Sequence, residues 1–194
     1  IMHKSFDCDT VKVMQGEHYG YFRKPTNAIH RRAVLCWLDR FWLIVDDILG
    51  ENIHRVELSW HLCGVEYEYK NDSIILQSEN GPVFIAILGS ADKDVCQCLN
   101  SEKVTVGWQS LYYGNRESTP VLALSSKAKL PVRFITLISF SDTAEDIAIN
   151  QEGSLCWRCQ LSGQEYRVGL NSIAHSGKGV FTFVQTGGEQ IVLG

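Results

Sequence analysis

The sequence predicts an all-β protein, an antiparallel β-sandwich of two stacked sheets in one domain over residues 1–194. Three observations support this fold class. Apolar and polar residues alternate over short runs from Arg32 to the C-terminus, which is the period of a half-buried strand. Turn signals such as Asn71-Asp72 and Asn80-Gly81 separate the runs. Helical periodicity is nearly absent, so many short strands at regular spacing indicate a sandwich.

The first predicted strands form a hairpin. Residues 32–37 and 41–45 are apolar, aromatic-rich runs joined by a short turn around Asp39-Arg40. The next segment, 53–62, alternates without interruption. Its even-numbered residues, including Trp60, should face the core, and its odd-numbered residues, including His61, should face outward.

The later strands follow the remaining turn signals. They are predicted at 64–70, 73–77, 83–88, 104–111, 121–124, 132–139, 155–161, 165–170, 180–184 and 191–193. Short helical turns are expected only at 91–99 and 142–147. The prolines stand at turns or strand starts, as expected for a single compact unit.

Composition restricts the class of partner. The net charge of −4 and the pI near 5.9 argue against a nucleic-acid partner, which needs a basic face. The sequence contains no run of eighteen apolar residues, so no membrane span is predicted. Position 1 is isoleucine, and no signal pattern follows, so we expect a mature product or an excised piece of a longer protein.

The seven cysteines are odd in number, which leaves at least one thiol unpaired in an oxidising compartment. The pairs Cys96-x-Cys98 and Cys156-x-x-Cys159 suggest zinc, but they lie too far apart for a ribbon or finger. On a strand, residues 156 and 159 face opposite ways and lie about 10 Å apart, beyond the limit of about 7 Å for a disulfide. We therefore predict no bridge between them, no metal and no cofactor.

Three stretches occur in an order that carries a family resemblance. They are Gly16 to Tyr21 with Asn27 to Val34, then Phe41 to Gly50 with His54 to Leu62, and finally Gly107 to Gly114 with Leu130 to Ile138. Together they resemble the C-terminal part of the heparinase II/III family of polysaccharide lyases over about residues 10–140. No single one of these motifs is specific; their order and spacing carry the resemblance.

The resemblance implies a sandwich of the lyase supersandwich type, from an enzyme that cleaves a uronic-acid-containing polysaccharide by β-elimination. In that chemistry a base removes the proton next to a neutralised carboxylate, and an acid protonates the leaving oxygen. The family's catalytic tyrosine comes from an α/α-toroid, and its histidine and metal ligands come from His-x-His-x-Asp and His-Asn-Thr segments. None of these is in this sequence, so we assign no catalytic residue and expect the chain alone to be inactive.

The implied partners are an acidic polysaccharide and the absent toroid. The resemblance also implies a periplasmic or extracellular location, although the cysteine count leaves the cytoplasm open. The alternative function is a non-catalytic module that binds polysaccharide or serves in envelope-polysaccharide assembly.

The predicted substrate-binding residues are His30, Arg32 and His61. His30 and His61, with Asp46 or Asp47, could also form a His/Asp/His cation site if three successive antiparallel strands bring them together. A three-residue turn at 38–40 places Asp46 on the face of His30, whereas a two-residue turn places Asp47 there instead. We favour the structural alternative, in which His30 and Asp46 form hydrogen bonds that fix strand ends and Arg32 pairs with a carboxylate.

Four tyrosines are further candidates for contact with sugars, although such residues more often fill a core or an interface. They are Tyr19, Tyr21, Tyr112 and Tyr113.

Overall fold

The computed structural model describes residues 2–23, 25–38, 40–62, 66–70, 73–88, 95–99, 107–140, 148–153, 155–173 and 179–193. Over these residues the chain forms strands and no helix. The strands are β1 Met2–Asp7, β2 Val11–His18, β3 Ile29–Trp37, β4 Phe41–Leu49, β5 Ile53–His61, β6 Tyr67–Lys70, β7 Ser73–Ser78, β8 Gly81–Leu88, β9 Val95–Leu99, β10 Trp108–Gln109, β11 Glu117–Ser118, β12 Val121–Lys129, β13 Val132–Phe140, β14 Ala148–Glu152, β15 Cys156–Leu161, β16 Gln164–Leu170, β17 Phe181–Thr186 and β18 Glu189–Val192.

The strands form three sheets and a small ribbon. The central sheet has eight strands in the order β1-β2-β3-β4-β13-β8-β7-β6. A three-stranded sheet, β5-β12-β9, and a five-stranded sheet, β14-β15-β16-β17-β18, accompany it. Among the strands that the structure describes, β10 and β11 pair only with each other. Every strand pairing in the described residues is antiparallel.

The central sheet carries an apolar core on each face. On one face, residues such as Leu35 and Val45 pack in one cluster with Val168 and Val184 of the five-stranded sheet. On the other face, Phe134 belongs to a cluster that includes residues of β5 and β12. The predicted antiparallel all-β sandwich is confirmed, and it has three layers where two sheets were expected. The sequence of β4 accounts for the third layer, because its nearly continuous apolar run is typical of a strand buried on both faces.

The chain leaves the central sheet after β4. Gly50 and Asn52 have φ values of 153° and 68°, a conformation that is unfavourable for most residues. A Cβ atom at Gly50 would also lie 3.0 Å from Leu130 Cδ1. This turn carries β5 into the three-stranded sheet, where it pairs with β12, and β13 takes the place beside β4. The expectation that β3, β4 and β5 are neighbours in one sheet is therefore wrong.

One local prediction was wrong as well. The segment predicted as a helical turn at 91–99 contains strand β9, because Val95–Leu99 pairs with β12. The second helical turn, 142–147, lies outside the described residues. Strands β1 and β2 precede the first predicted strand, although Val11–His18 alternates between buried and exposed residues along most of its length.

Candidate functional site

A groove of about 440 Å³ opens between the central sheet and β5. Its central-sheet wall contributes His30, Arg32 and Asp46, while β5 contributes His54 and Arg55. Apolar side chains of both sheets complete the lining; among them are Ile48, Leu58 and Phe134. An apolar lining with a few polar and charged groups is the usual composition of a ligand-binding groove.

The register of β3 and β4 brings the polar groups of this groove together. Trp37 is paired with Phe41, so the turn contains three residues, and Arg32 lies opposite Asp46. The prediction that this turn places Asp46 on the face of His30 is confirmed. His30 Nε2 lies 2.6 Å from Asp46 Oδ1. Arg32 donates from Nε to Oδ1 at 2.7 Å and from Nη2 to Oδ2 at 3.0 Å.

Asp46 is almost completely buried and remains ionised. Burial alone would raise the pKa of its carboxyl, but the hydrogen bonds from His30 and Arg32 outweigh that effect and hold the pKa below its usual value. The side chain of His30 is 27% exposed and therefore stays reachable from the groove. The carboxylate thus fixes a histidine and an arginine along one wall.

Arg32 also contacts the neighbouring sheet. Its Cζ atom lies 5.0 Å from the centroid of the Trp60 ring, a cation–π contact. The Trp60 indole donates to Thr136 Oγ1 at 3.1 Å. Arg32 therefore pairs with a carboxylate, as in the structural alternative, and it also joins β4 to β5, while about two fifths of its side chain stays accessible.

His61 lies on the outward face of β5, as the alternation predicted, and Leu58 on the other face is buried. It does not line the groove; His54 and Arg55, from the start of the strand, do. The structure therefore does not assemble the set of His30, Asp46 and His61. Within the described residues, no group of three histidine, cysteine or acidic side chains could hold a metal ion. His54 was not predicted as a site residue, because nothing in the sequence around it indicates that the chain changes sheet after β4.

Asp47 projects to the opposite face of the central sheet. Arg31 Nη2 and Arg133 Nη2 donate to Asp47 Oδ2 at 2.6 Å and 2.8 Å. Arg133 Nη1 also donates to the carbonyl oxygen of Asn171 at 2.7 Å. Arg31 and Asp47 are fully buried, so this cluster links the central sheet to the segment after β16. It has no part in the groove.

The candidate tyrosines lie in different surroundings. Tyr21 lines the groove. Tyr19 donates its hydroxyl hydrogen to Glu17 Oε2 at 2.5 Å. Tyr112 and Tyr113 are exposed in the connection between β10 and β11.

Cys156 and Cys159 are free thiols. Their strand alternates between half-buried and buried positions, so the two residues lie on opposite faces. Burial raises the pKa of the Cys159 thiol to about 12, which keeps the free thiol protonated at neutral pH.

Comparisons with known proteins agree with this architecture. The family described as heparinase II/III-like, C-terminal, matches residues 3–155. The chain superposes on the heparan sulfate lyase HepC from Pedobacter heparinus with a TM-score of 0.68 and 16% identity, covering 90% of this chain and 28% of that one. A heparinase III gives a TM-score of 0.64 at 16% identity, covering 100% of this chain and 27% of that one. No curated protein matches.

At such identities the superpositions show the fold alone, and the chain spans little more than a quarter of the length of those solved structures. Within the described residues, no helix is long and apolar enough to cross a membrane.

Proposed function

We propose, because this chain belongs to the heparinase II/III-like C-terminal family, that it forms the sandwich wall of the substrate cleft in a polysaccharide lyase. The substrate of the whole protein would be an acidic polysaccharide that contains uronic acid, and the reaction would be β-elimination. The observation that carries the proposal is the groove, where exposed basic groups stand beside a carboxylate that is already neutralised. One of the similar solved structures is a heparan sulfate lyase.

The charges of the groove suit a carboxylate ligand. Asp46 uses both oxygens to accept from Arg32, so it does not repel an incoming anion strongly. Arg55 is exposed at the groove and can donate to a uronate or a sulfate. Its neighbour Glu57 accepts from Ser59 Oγ at 3.1 Å. β-Elimination requires that the negative charge of the uronate carboxylate is neutralised. The basic groups of this wall can neutralise it.

The residues have distinct proposed roles. His30, held by Asp46, and the exposed part of Arg32 contact the sugar chain inside the groove. His61 contacts it farther along β5, beyond Ser59. We propose a single sandwich domain for residues 1–194 and a periplasmic or extracellular location, where such polymers occur. The catalytic groups would come from the remainder of a longer protein, with which the sandwich packs.

A binding experiment tests the role of the groove. Calorimetric titration with hexasaccharides of heparan sulfate and of alginate should show binding to the wild-type chain. Arg55→Gln should weaken it about tenfold or more, the effect of losing a hydrogen bond between charged groups. The matched control is Arg167→Gln on β16, which does not line this groove and should leave the affinity unchanged. Absence of binding to both sugars, or equal losses in the two variants, would refute the proposal.

Turnover is the second measurement. Release of unsaturated uronate, followed by ultraviolet absorbance, should stay at background for this chain alone. Activity of the isolated chain would show that it contains catalytic residues that we have not assigned.

A further inference from the structure

The ribbon β10–β11 presents three consecutive large apolar side chains to solvent. Leu111, Tyr112 and Tyr113 have relative exposures of 71%, 80% and 104%. Single exposed apolar residues are common on protein surfaces, but a contiguous group of them marks an interaction site. None of these residues belongs to either core cluster. The aromatic rings of this ribbon therefore do not contribute to the core and are available for binding.

The tip of the ribbon is ordered by its own hydrogen bonds. The carbonyl oxygen of Tyr112 accepts from Ser110 Oγ at 2.7 Å and from the Asn115 amide at 3.1 Å. Asn115 Nδ2 donates to Glu117 Oε1 at 3.0 Å. Gly114 has a φ of 77°, which closes the turn. A surface that is already ordered loses little conformational entropy when it binds a ligand.

The base of the ribbon is anchored at the end of β5. Thr119 is buried and donates its hydroxyl hydrogen to the carbonyl oxygen of Leu62, and its amide donates to the Gly107 carbonyl at 2.8 Å. The Leu62 amide donates to the Pro120 carbonyl at 2.9 Å. The base of the ribbon is therefore attached beside the C-terminal end of β5, and the ribbon leads directly into β12.

This position puts the base of the ribbon close to one end of the groove. Ser59 lines the groove, and the ribbon is anchored at Leu62, three residues or about 10 Å farther along the chain. His61 projects between them from the same outward face as Ser59. The side chains therefore form a path from the groove, past His61, to the base of the ribbon.

The chemistry of the tip favours a sugar as the ligand. Tyrosine rings offer a flat apolar face and a hydroxyl group, and they have few rotatable bonds to immobilise. Beside them Arg116 is stacked on Trp108, with Cζ 3.9 Å from the ring centroid. Its positive charge is complementary to an anionic polymer. We propose that Tyr112 and Tyr113 form an outlying subsite, where sugar rings of the polysaccharide stack after the chain has left the groove past His61.

This inference rests on the proposed function. Oligosaccharides of two lengths distinguish a failure of the inference from a failure of the proposed function. The probes are a tetrasaccharide and a dodecasaccharide of heparan sulfate, titrated into the wild-type chain and into Tyr112→Ala and Tyr113→Ala. Each variant should bind the dodecasaccharide about two- to tenfold more weakly, the range expected for one lost aromatic contact. Tetrasaccharide affinity should not change, because a short ligand is held by the groove alone.

Val192→Ala is the control, since Val192 is an exposed apolar residue on β18 of the five-stranded sheet, which packs on the opposite face of the central sheet from β5, and it should leave both affinities unchanged. Unchanged dodecasaccharide binding in both ribbon variants, or equal losses for both sugar lengths, would overturn the subsite while the groove proposal stood. Wild-type protein that binds neither sugar would refute the proposed function and this inference together. Self-association in sedimentation that Tyr113→Ala abolishes would instead assign the ribbon to a second copy of the chain.

Discussion

Replacing Trp60 by alanine should destabilise the protein strongly, because this side chain joins the three-stranded sheet to the central one. Its indole donates to Thr136 Oγ1 at 3.1 Å, and Thr136 is completely buried. Its ring stacks on the Arg32 guanidinium. It also packs against the core cluster between these two sheets.

Three contributions set the magnitude. Emptying a large aromatic site costs about 3–5 kcal/mol, and the low end applies here because Trp60 is only partly buried. Loss of the hydrogen bond to Thr136 adds about 1 kcal/mol. Loss of the contact with Arg32 adds about 0.5 kcal/mol at this partly exposed position. We expect a total of roughly 4.5 kcal/mol for Trp60→Ala and about 1–2 kcal/mol for Trp60→Phe, which keeps a ring but loses the donor.

Urea unfolding followed by far-ultraviolet circular dichroism measures this loss as a fall in midpoint at constant slope. His61→Ala is the control on the adjacent, outward-facing residue and should cost under about 0.5 kcal/mol. A larger loss for His61→Ala than for Trp60→Ala would show that the two faces of β5 are assigned the wrong way round. An equal cost for Trp60→Phe and Trp60→Ala would refute the contribution of ring packing.

Two further predictions concern the paired charges of β3 and β4. Asp47→Asn should lower the free energy of unfolding by about 3–5 kcal/mol, because it leaves buried Arg31 without its counter-charge. The control is Asp7→Asn at an exposed ion pair, which should lower it by under about 1 kcal/mol in the same urea assay. Because the pKa of Asp46 is lowered in the folded state, its contribution to stability is present above the unfolded value of about 3.9 and is lost as the pH falls through the folded pKa. Urea midpoints measured from pH 6 downward should therefore fall less steeply for Asp46→Asn than for wild type, and an unchanged slope would contradict this pH dependence.

Local patterns predicted the strands of this protein well. Alternation along β5 correctly placed Leu58 inward and His61 outward, because one period-two strand with one apolar face allows a single orientation. The length of the turn before β4 likewise decided between Asp46 and Asp47. Both results depend on residues that are close in sequence.

Pairings between distant strands could not be predicted in this way. Strand β13 enters the central sheet beside β4, more than eighty residues along the chain, and β9 becomes a strand through its pairing with β12. The composition of the groove depends on these pairings, because they decide which end of β5 faces His30. For this reason His54 and Arg55 took the place that was expected for His61.

The adjacent doublets Arg31-Arg32 and Asp46-Asp47 show how one register can serve two functions. Successive strand residues point to opposite faces, and the observed pairing sets Arg31 against Asp47 and Arg32 against Asp46. Each face of the central sheet therefore receives one arginine–aspartate pair. The buried pair contributes to the attachment of the five-stranded layer through Arg133 and Asn171. The other pair lines the groove and holds His30. A slip of one residue would break both pairs at once, so the ion pairs that organise the groove also specify the alignment of the strands that carry it.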